Sequence, residues 1–259
     1  MIQSSLLGRF PELAHGLSVA DGRHPGGGNM SLNSGPREEV LRHRLRFCEQ
    51  LGVRAKDLIM ADQVHGDTVL PVTPADRGKG AETLLSPLGE ADALCTAEPG
   101  LPLTVLVADC PAVFCYDPER RAIGLAHSGW RSTAQGIVPR LVTTLSEQLG
   151  ACPERLRVWI SPSIGFCCFE VGPEVLEVFR RSRPELRRRD DGFRHTGQDR
   201  YRLDLKGVLL AQLLAQGVPE KQIEVSPECT CCEPKYFSYR RTGKGTGHMM
   251  GLLAMRDRE

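Results

Sequence analysis

Three side chains that could carry out chemistry, His65, Cys110 and His127, stand at breaks between apolar segments of this 259-residue chain. A thiolate and an imidazole together suit zinc and copper(I), and they can equally act as a nucleophile and its base. A packed Cys-His pair without a chemical role is the third interpretation, because a buried cysteine behaves as a small hydrophobe. Ligands of types His, Cys and His would leave one position open on a tetrahedral zinc, as in catalytic sites.

Cys110 and His127 are expected to face each other across a β-hairpin. The apolar segments on either side of residues 117–120 have strand composition, and those four residues have the composition of a turn. A four-residue loop pairs Tyr116 with Arg121, and the same register carries Cys110 opposite His127. Directly opposed residues have Cβ atoms about 4.5 to 5.5 Å apart. The spacing therefore predicts a thiol and an imidazole within reach of each other.

The segment after this hairpin predicts positive charge beside the Cys-His pair. Its apolar residues recur with helical spacing over residues 132–149. Backbone N–H groups at the start of a helix favour anions, and Arg131 adds a permanent positive charge there. Phosphate is the ligand that this arrangement predicts.

The remaining hydrophobic patterns alternate between helical and extended. Further helices are predicted over residues 33–52, 173–181 and 206–216. Strands are predicted over residues 67–72, 101–108, 112–116, 121–127, 156–160, 201–205, 223–225, 236–239 and 249–254. Antiparallel hairpins mixed with helices predict an α/β fold of the α+β type, with mixed β-sheets flanked by helices. No repeat or linker divides the chain, so residues 1–259 are expected to form a single domain.

The composition is that of an ordinary soluble globular protein, with 41% hydrophobic and 25% charged residues. The net charge of +1 gives no reason to expect a nucleic-acid or membrane partner. A basic run within residues 180–189 is interleaved with acidic residues and is interpreted as a solvated helix end. No signal peptide is recognised, so the protein is expected in the cytoplasm, with its ten cysteines as reduced thiols. It is expected to be a monomer or a small homo-oligomer.

The other cysteines and one aromatic segment suggest weaker chemistry. Cys229 and Cys232 have a CxxC spacing, but no second CxxC pairs with them, so a structural zinc there is the minor interpretation. Cys167 and Cys168 are interpreted as packed or partly exposed thiols. Residues 236–241, Tyr-Phe-Ser-Tyr-Arg-Arg, suit the stacking of a base and the binding of phosphate, or an ordinary strand with a basic end.

Nine short motifs occur in order along the chain and together resemble one protein family. These motifs are Asn29-Met30-Ser31-Leu32, Gln63-Val64-His65-Gly66, Ala91-Asp92-Ala93-Leu94, Ala108-Asp109-Cys110-Pro111, His127-Ser128-Gly129-Trp130-Arg131, Pro162-Ser163-Ile164-Gly165, Phe169-Glu170-Val171-Gly172, Cys229-Thr230 and Phe237-Ser238-Tyr239-Arg240-Arg241. Over residues 29–247 the chain is similar to the YfiH/YlmD family of laccase-domain proteins, also called polyphenol oxidoreductases or FAMIN-like proteins. Each motif alone is weak, whereas nine in order are highly specific.

The resemblance implies a YfiH-like α/β fold related to a toxin-type cysteine hydrolase. It implies a zinc ion held by His65, Cys110 and His127, although this ligand set does not distinguish zinc from copper. It also implies purine nucleoside metabolism, namely phosphorolysis of adenosine, inosine, guanosine and methylthioadenosine, together with deamination of adenosine. The older family name, laccase, suggests a four-copper site, but this chain alone cannot hold one. Such sites use roughly ten histidines in paired HxH motifs, whereas this chain has seven histidines and no HxH.

The sequence hypothesis is a zinc-dependent purine nucleoside phosphorylase with adenosine deaminase activity, in which His65, Cys110 and His127 are both metal ligands and catalytic residues. Arg131 and Arg240 are expected to bind phosphate or ribose. The expected hydrogen-bond partners of the nucleoside are Asn29 and Ser31. The alternatives are a metal-free Cys-His hydrolase or amidase with Cys110 as nucleophile, a copper-dependent polyphenol oxidoreductase, and a non-enzymatic metal-binding protein.

Overall fold

The computed structural model describes residues 1–22, 27–86, 88–182, 192–197 and 199–257. The first half of the described chain contains β1 (Leu13–Leu17), α1 (Arg37–Leu51), β2 (Val69–Pro71), β3 (Ala93–Thr96), β4 (Leu103–Val107), β5 (Ala112–Asp117) and β6 (Ala122–His127). The second half contains α2 (Trp130–Gln135), α3 (Ile137–Leu149), β7 (Arg157–Ile160), β8 (Glu170–Val171), α4 (Pro173–Ser182), β9 (Phe193–Gly197), β10 (Arg200–Leu203), α5 (Leu205–Ala215), β11 (Ile223–Val225), α6 (Tyr239–Thr242) and β12 (Met249–Met255). Short 3-10 turns connect several of these elements.

The strands form three sheets. The largest is a six-stranded mixed sheet of order β11-β7-β5-β6-β3-β2, and β1-β12-β4 and β8-β10-β9 are antiparallel sheets of three strands each. Helices flank these sheets, so the predicted α/β fold with mixed sheets and flanking helices is confirmed.

The six-stranded sheet and the β1-β12-β4 sheet pack face to face, and helices cover their outer faces. Phe114 and Trp159 of the six-stranded sheet share one hydrophobic core with Val105 and Leu253 of the β1-β12-β4 sheet. On the outer face of the six-stranded sheet, alternate strand residues such as Val113 pack against α3 and α5. The outer face of the β1-β12-β4 sheet packs against α1. Both faces of β5 and β6 are therefore buried, which explains why their sequences are continuous apolar runs rather than alternating patterns.

The predicted β5–β6 hairpin is present, but its register differs from the prediction by two residues. Tyr116 pairs with Ile123 rather than Arg121, and His127 pairs with Ala112 rather than Cys110. The turn begins one residue later than predicted, because the Asp117 carboxylate accepts hydrogen bonds from the backbone N–H groups of the turn and remains in the strand. Arg121 closes the turn in the left-handed region at φ 50°. The prediction that Cys110 lies directly opposite His127 is therefore wrong.

The helix predicted over residues 132–149 is two helices. Gly136 adopts a left-handed conformation at φ 95°, which ends α2 and allows α3 to start at the next residue. The first helix begins at Trp130, so Arg131 lies in its first turn and not in a preceding loop. With six residues, α2 is too short to carry much of a macrodipole, and the charge of Arg131 itself is the stronger reason to expect an anion nearby.

Several other predicted elements differ from those in the structure. The strand predicted over residues 236–239 is wrong, because Ser238 accepts a hydrogen bond from the Arg241 backbone N–H and caps α6. Strands β1, β3, β8 and β9 were not predicted, and the predicted helix of residues 33–52 starts after Pro36. Within the basic run, Arg180 and Arg181 lie in the last turn of α4, and residues 183–189 fall outside the described residues. Among the helices described, none combines the length and apolar character needed to cross a lipid bilayer.

Candidate active site

His65, Cys110 and His127 converge on one point, and we call them the His-Cys-His trio. One ligand atom from each of the three lies within 4.8 Å of the other two. The two imidazole rings stand nearly perpendicular, at 81°, with their centroids 4.8 Å apart. His127 ends β6, Cys110 follows β4, and His65 precedes β2, so three separate segments build the cluster. The predicted proximity of Cys110 and His127 is confirmed, although Cys110 precedes β5 and is not the strand partner of His127.

Cys110 lies where the chain passes from the β1-β12-β4 sheet to the six-stranded sheet. β4 belongs to the β1-β12-β4 sheet and β5 to the six-stranded sheet, so the break at Asp109-Cys110-Pro111 is a change of sheet. Asp109 adopts φ 84°, an uncommon conformation for a residue with a side chain. Its carboxylate accepts hydrogen bonds from the Thr230 hydroxyl at 2.6 Å, the Ser238 hydroxyl at 3.0 Å and the Arg240 backbone N–H at 2.7 Å. These contacts fix the backbone that presents the thiol.

The buried carboxylate of Asp92 orients both histidines. It accepts a hydrogen bond from His127 Nδ1 at 2.7 Å, which leaves Nε2 as the nitrogen available to the rest of the trio. It also accepts the backbone N–H groups of Val64, His65 and Gly66 at 3.1, 3.1 and 2.7 Å. His65 has φ 59°, and these bonds hold it in that unfavourable conformation. Asp92 had no role predicted from sequence, although a carboxylate between alanines at the start of a buried strand is a usable signal.

The charges of Cys110 and His127 stabilise each other. Burial by itself would raise the pKa of Cys110, but the charge of His127 and hydrogen bonds from His127 and His65 lower that pKa from 9.0 to about 6. Burial would lower the pKa of His127, but the Cys110 thiolate and the Asp92 carboxylate raise it from 6.5 to about 9. The metal-free site therefore holds a thiolate and an imidazolium at neutral pH, and loss of the imidazolium proton leaves two nitrogen donors and one sulfur donor.

The metal-free protein is expected to react with iodoacetamide at Cys110 with a half-maximal rate near pH 6. The thiolate is the reactive species, and a thiol with a lowered pKa is deprotonated above that pKa, so the rate should rise between about pH 5 and 7 and then level off. Peptide mass spectrometry of chelator-treated protein at a series of pH values measures it. In His127→Ala the pH of the half-maximal rate should move upward. A half-maximal rate near pH 9 in the wild-type protein would contradict the expected charge pair.

Gly129 leaves the room in which the trio meets. A Cβ atom at this position would lie 3.0 Å from Cys110 Sγ and 3.0 Å from His65 Cδ2. Its φ of −63° is available to any residue, so the requirement for glycine here is steric and not conformational. From sequence, this glycine stands out only as part of a family motif.

Gly129→Ala is expected to weaken metal binding about tenfold, because the added methyl group must push the thiol or the imidazole away from their common point. Zinc titration against a competing chelator measures this change. Gly8→Ala is the matched control, since a Cβ there meets nothing within 4 Å. Equal zinc affinities for the two variants would show that the contact with Gly129 does not position the ligands.

The trio lines a cavity of about 890 Å³. This volume suits a small organic ligand together with an anion, and all three members of the trio reach its wall. The other lining side chains include hydroxyl, aromatic and basic groups. Among these are Ser31, Trp130, Arg131, Phe169, Arg240 and Lys244.

The four predicted substrate-binding residues occupy different positions relative to this cavity. Ser31, Arg131 and Arg240 line it. Asn29 is buried behind the wall, where its amide oxygen accepts the backbone N–H groups of Ser31 at 3.0 Å and His248 at 2.9 Å. Asn29 thus positions two cavity-lining residues. The direct contacts of the other three with a substrate stay predictions.

The fold and site together define a mixed-sheet α/β protein with a His-Cys-His cluster on the wall of a ligand-sized cavity. Residues 16–256 match a family described as multi-copper polyphenol oxidoreductase laccase. The chain is 36% identical to the purine nucleoside phosphorylase YlmD of Geobacillus stearothermophilus over 254 residues, which is 96% of this chain and 92% of that protein. It is 34% identical to the adenosine deaminase RL5 of an unknown prokaryotic organism over 209 residues, covering 80% of this chain and 79% of that protein.

A solved structure shares the fold over nearly its whole length. The hypothetical protein YfiH of Bacillus licheniformis superposes with a TM-score of 0.89 at 34% identity, covering 94% of this chain and 93% of that chain. The chain belongs to this laccase-domain family, and the resemblance predicted from the nine motifs is confirmed.

Proposed function

We propose that this chain is a zinc-dependent purine nucleoside phosphorylase that also deaminates adenosine, with residues 1–259 acting as one catalytic domain. The observation that carries the proposal is the convergence of the His-Cys-His trio on the wall of an 890 Å³ cavity. The relatives named purine nucleoside phosphorylase and adenosine deaminase support the two activities. Both reactions act on the same class of substrate, so a single cavity suffices for them.

The donor set of the trio fits a zinc ion. Two imidazole nitrogens and one thiolate are zinc ligands, and three protein ligands leave a position for substrate or water. The hydrogen bond from His127 Nδ1 to Asp92 is the kind of support that metal-binding histidines usually have. When bound, zinc would supply a Lewis acid at the cavity wall. Copper(I) accepts the same donors, and metal analysis of the purified protein distinguishes the two ions.

The nucleoside is proposed to lie against the aromatic part of the cavity. Trp130 and Phe169 line it, and aromatic side chains of this kind are the usual stacking partners of a purine. Ser31 lies on the same wall, and its hydroxyl oxygen already accepts the Asn33 backbone N–H at 3.3 Å. Its hydroxyl hydrogen therefore remains available for donation to a ring nitrogen or a ribose oxygen.

Phosphate is proposed to bind the basic side chains of the cavity. Neither Arg131 nor Lys244 forms an ion pair with a carboxylate among the described residues, and both line the cavity together with Arg240. In phosphorolysis a phosphate oxygen forms a bond to C1′ of the ribose while the glycosidic C–N bond breaks, and the purine takes the bonding electrons and a proton. Arginine side chains hold the phosphate in position and reduce its repulsion from the electron-rich substrate.

Product analysis tests both activities at once. Zinc-loaded protein incubated with adenosine and phosphate should form adenine and ribose 1-phosphate, and inosine should also form. Without phosphate, inosine should still form, whereas adenine and ribose 1-phosphate should be absent. If zinc-loaded protein yields none of the three products, the proposal is wrong.

Arg131→Gln is expected to raise the KM for phosphate about tenfold with a smaller change in kcat, because it removes one charge-assisted contact to the anion. Its guanidinium lies 4.2 Å over the Trp130 ring, and glutamine retains much of that packing. Initial rates at varied phosphate give both constants. Arg9→Gln serves as the control, because Arg9 is not among the residues that line the cavity. An unchanged KM in Arg131→Gln would remove Arg131 from the phosphate site.

A metal-free Cys-His hydrolase or amidase is the second candidate, because the thiolate–imidazolium pair with Asp92 behind it also suits nucleophilic catalysis. Chelation separates the two candidates. Removal of zinc should abolish phosphorolysis, and zinc addition should restore it. A nucleophile that works without metal would retain its activity after chelation and lose it on alkylation of Cys110.

We further propose that the protein works in the cytoplasm. All ten cysteines are free thiols in the structure, and Cys110 can act as a thiolate ligand only under reducing conditions. The expectation of a monomer or small homo-oligomer stays a prediction.

A further inference from the structure

Four cysteines form a second cluster outside the trio, and we call it the four-cysteine cluster. Its members, Cys167, Cys168, Cys229 and Cys232, place their Sγ atoms within 4.8 Å of one another. We propose that the four-cysteine cluster binds a structural zinc ion that joins two loops beside the active-site cavity. This proposal is independent of the function proposed for the trio.

The sulfur–sulfur distances are those of thiolates around a shared ion. Zinc–sulfur bonds of about 2.3 Å in a tetrahedron place neighbouring sulfurs about 3.8 Å apart. Cys232 Sγ lies 3.4 Å from Cys168 Sγ and 3.7 Å from Cys167 Sγ. A disulfide would need about 2.05 Å. Four thiolates complete the tetrahedral shell and leave no open position, which is the arrangement of a structural rather than a catalytic zinc.

The order of strands in the large sheet explains how the cluster forms. β7 and β11 are parallel neighbours, so the loops that follow them leave the same edge of the sheet. The loop after β7 carries Cys167 and Cys168, and the loop after β11 carries Cys229 and Cys232. A backbone hydrogen bond from Thr230 N–H to the Ser163 carbonyl, 3.0 Å long, keeps the loops side by side. The missing partner of the CxxC pair is thus an adjacent Cys-Cys pair.

A backbone N–H group, a glycine and two arginines lie beside the four-cysteine cluster. The Gly165 backbone N–H donates to Cys229 Sγ at 3.1 Å. A Cβ atom at Gly165 would lie 3.2 Å from Cys167 Sγ and 3.4 Å from Cys229 Sγ, so glycine permits the close approach of the two loops. Zinc with four thiolates carries a formal charge of −2, and basic side chains stand around it. Arg202 hydrogen-bonds the Cys167 carbonyl, and Arg240 hydrogen-bonds the Cys168 carbonyl at 3.4 Å.

The two loops joined by the cluster also hold the active-site wall. Thr230, next to Cys229, donates its hydroxyl to Asp109, which precedes Cys110. Arg240 lines the cavity and donates to the carbonyls of Cys168 and Glu170. Loss of the second zinc should therefore loosen this wall, whereas the trio keeps its own ligands.

Zinc content per chain tests the proposal. Protein purified under reducing conditions should contain two zinc ions, Cys110→Ser should contain one, and the double variant Cys229→Ser/Cys232→Ser should also contain one. Cys231→Ser is the matched control, because Cys231 lies between two proposed ligands but is not one of the four; it should contain two. The Cys110→Ser result separates this site from the trio, since it leaves the four-cysteine cluster as the sole proposed site.

Cobalt substitution supplies a readout that does not depend on the double variant folding. Cys110→Ser loaded with Co²⁺ should show the intense sulfur-to-metal charge-transfer bands and strong d–d bands of a tetrahedral tetrathiolate site. The proposal is overturned if Cys110→Ser binds no metal, if iron replaces zinc in stoichiometric amount, or if Cys231→Ser loses as much metal as the double variant. It is also overturned if mass spectrometry of the reduced, metal-loaded protein finds a Cys168–Cys232 disulfide.

Discussion

Cys110→Ser is expected to remove one zinc ion per chain and to lower the rate of adenosine phosphorolysis by at least about 1000-fold, a loss of about 4 kcal/mol in transition-state stabilisation. Serine occupies nearly the same volume, but its hydroxyl is not deprotonated near neutral pH and is a poor ligand for zinc. The thiol it replaces has a pKa lowered to about 6 and is already ionised at pH 7. The change therefore removes a ligand and a negative charge without creating a cavity.

Cys152→Ser is the control for this variant. Cys152 is a partly exposed thiol that contacts Glu154 and lies outside both cysteine-containing clusters. We expect it to retain both zinc ions and the wild-type rate. Metal analysis and product chromatography on the same samples decide the result. A Cys110→Ser enzyme that keeps full zinc content and most of its activity would show that neither metal binding nor catalysis depends on this thiol.

The part of the site that could be predicted from sequence lies within one hairpin. Cys110 and His127 are close because a turn of four residues connects two adjacent strands, and such local pairing follows from composition and spacing. The strand partner of His127 is Ala112 and not Cys110, so the predicted register is wrong by two residues. Cys110 precedes β5, yet its Sγ lies within 4.8 Å of a ligand atom of His127. The predicted proximity thus holds because both residues lie at the same end of the hairpin, although they do not pair directly.

The unpredicted part depends on how distant segments are arranged. Asp92 reaches His65 and His127 because β3 lies next to both β2 and β6, and nothing in the local pattern fixes that strand order. The four-cysteine cluster likewise depends on the parallel pairing of β7 with β11. Gly136 illustrates a local limit, since a single glycine within a helical pattern is compatible with a continuous helix and with the break observed here.

Asp92→Asn is expected to reduce zinc affinity and activity about 100-fold. The carboxylate receives four N–H groups, and an amide can accept with its oxygen only. If the amide oxygen keeps its hydrogen bonds to the backbone N–H groups around His65, the amide nitrogen faces His127 Nδ1. Two N–H groups cannot face each other, so the neutral imidazole then carries its proton on Nε2 instead of Nδ1. A protonated Nε2 cannot bind zinc, so the substitution disables His127 while leaving the ring in place.

Asp117→Asn is the matched control, because Asp117 is also a buried carboxylate that accepts three backbone N–H groups, from Glu119, Arg120 and Cys152. Both variants should lower the melting temperature, but only Asp92→Asn should lose zinc affinity. High zinc should restore part of its activity, since the defect is in the ligand and not in the substrate site. In the metal-free Asp92→Asn protein, the half-maximal pH for alkylation of Cys110 should rise above 6, because the neutral His127 no longer stabilises the thiolate. Equal zinc affinities in the two Asn variants would assign Asp92 to folding alone and leave His127 oriented by its packing.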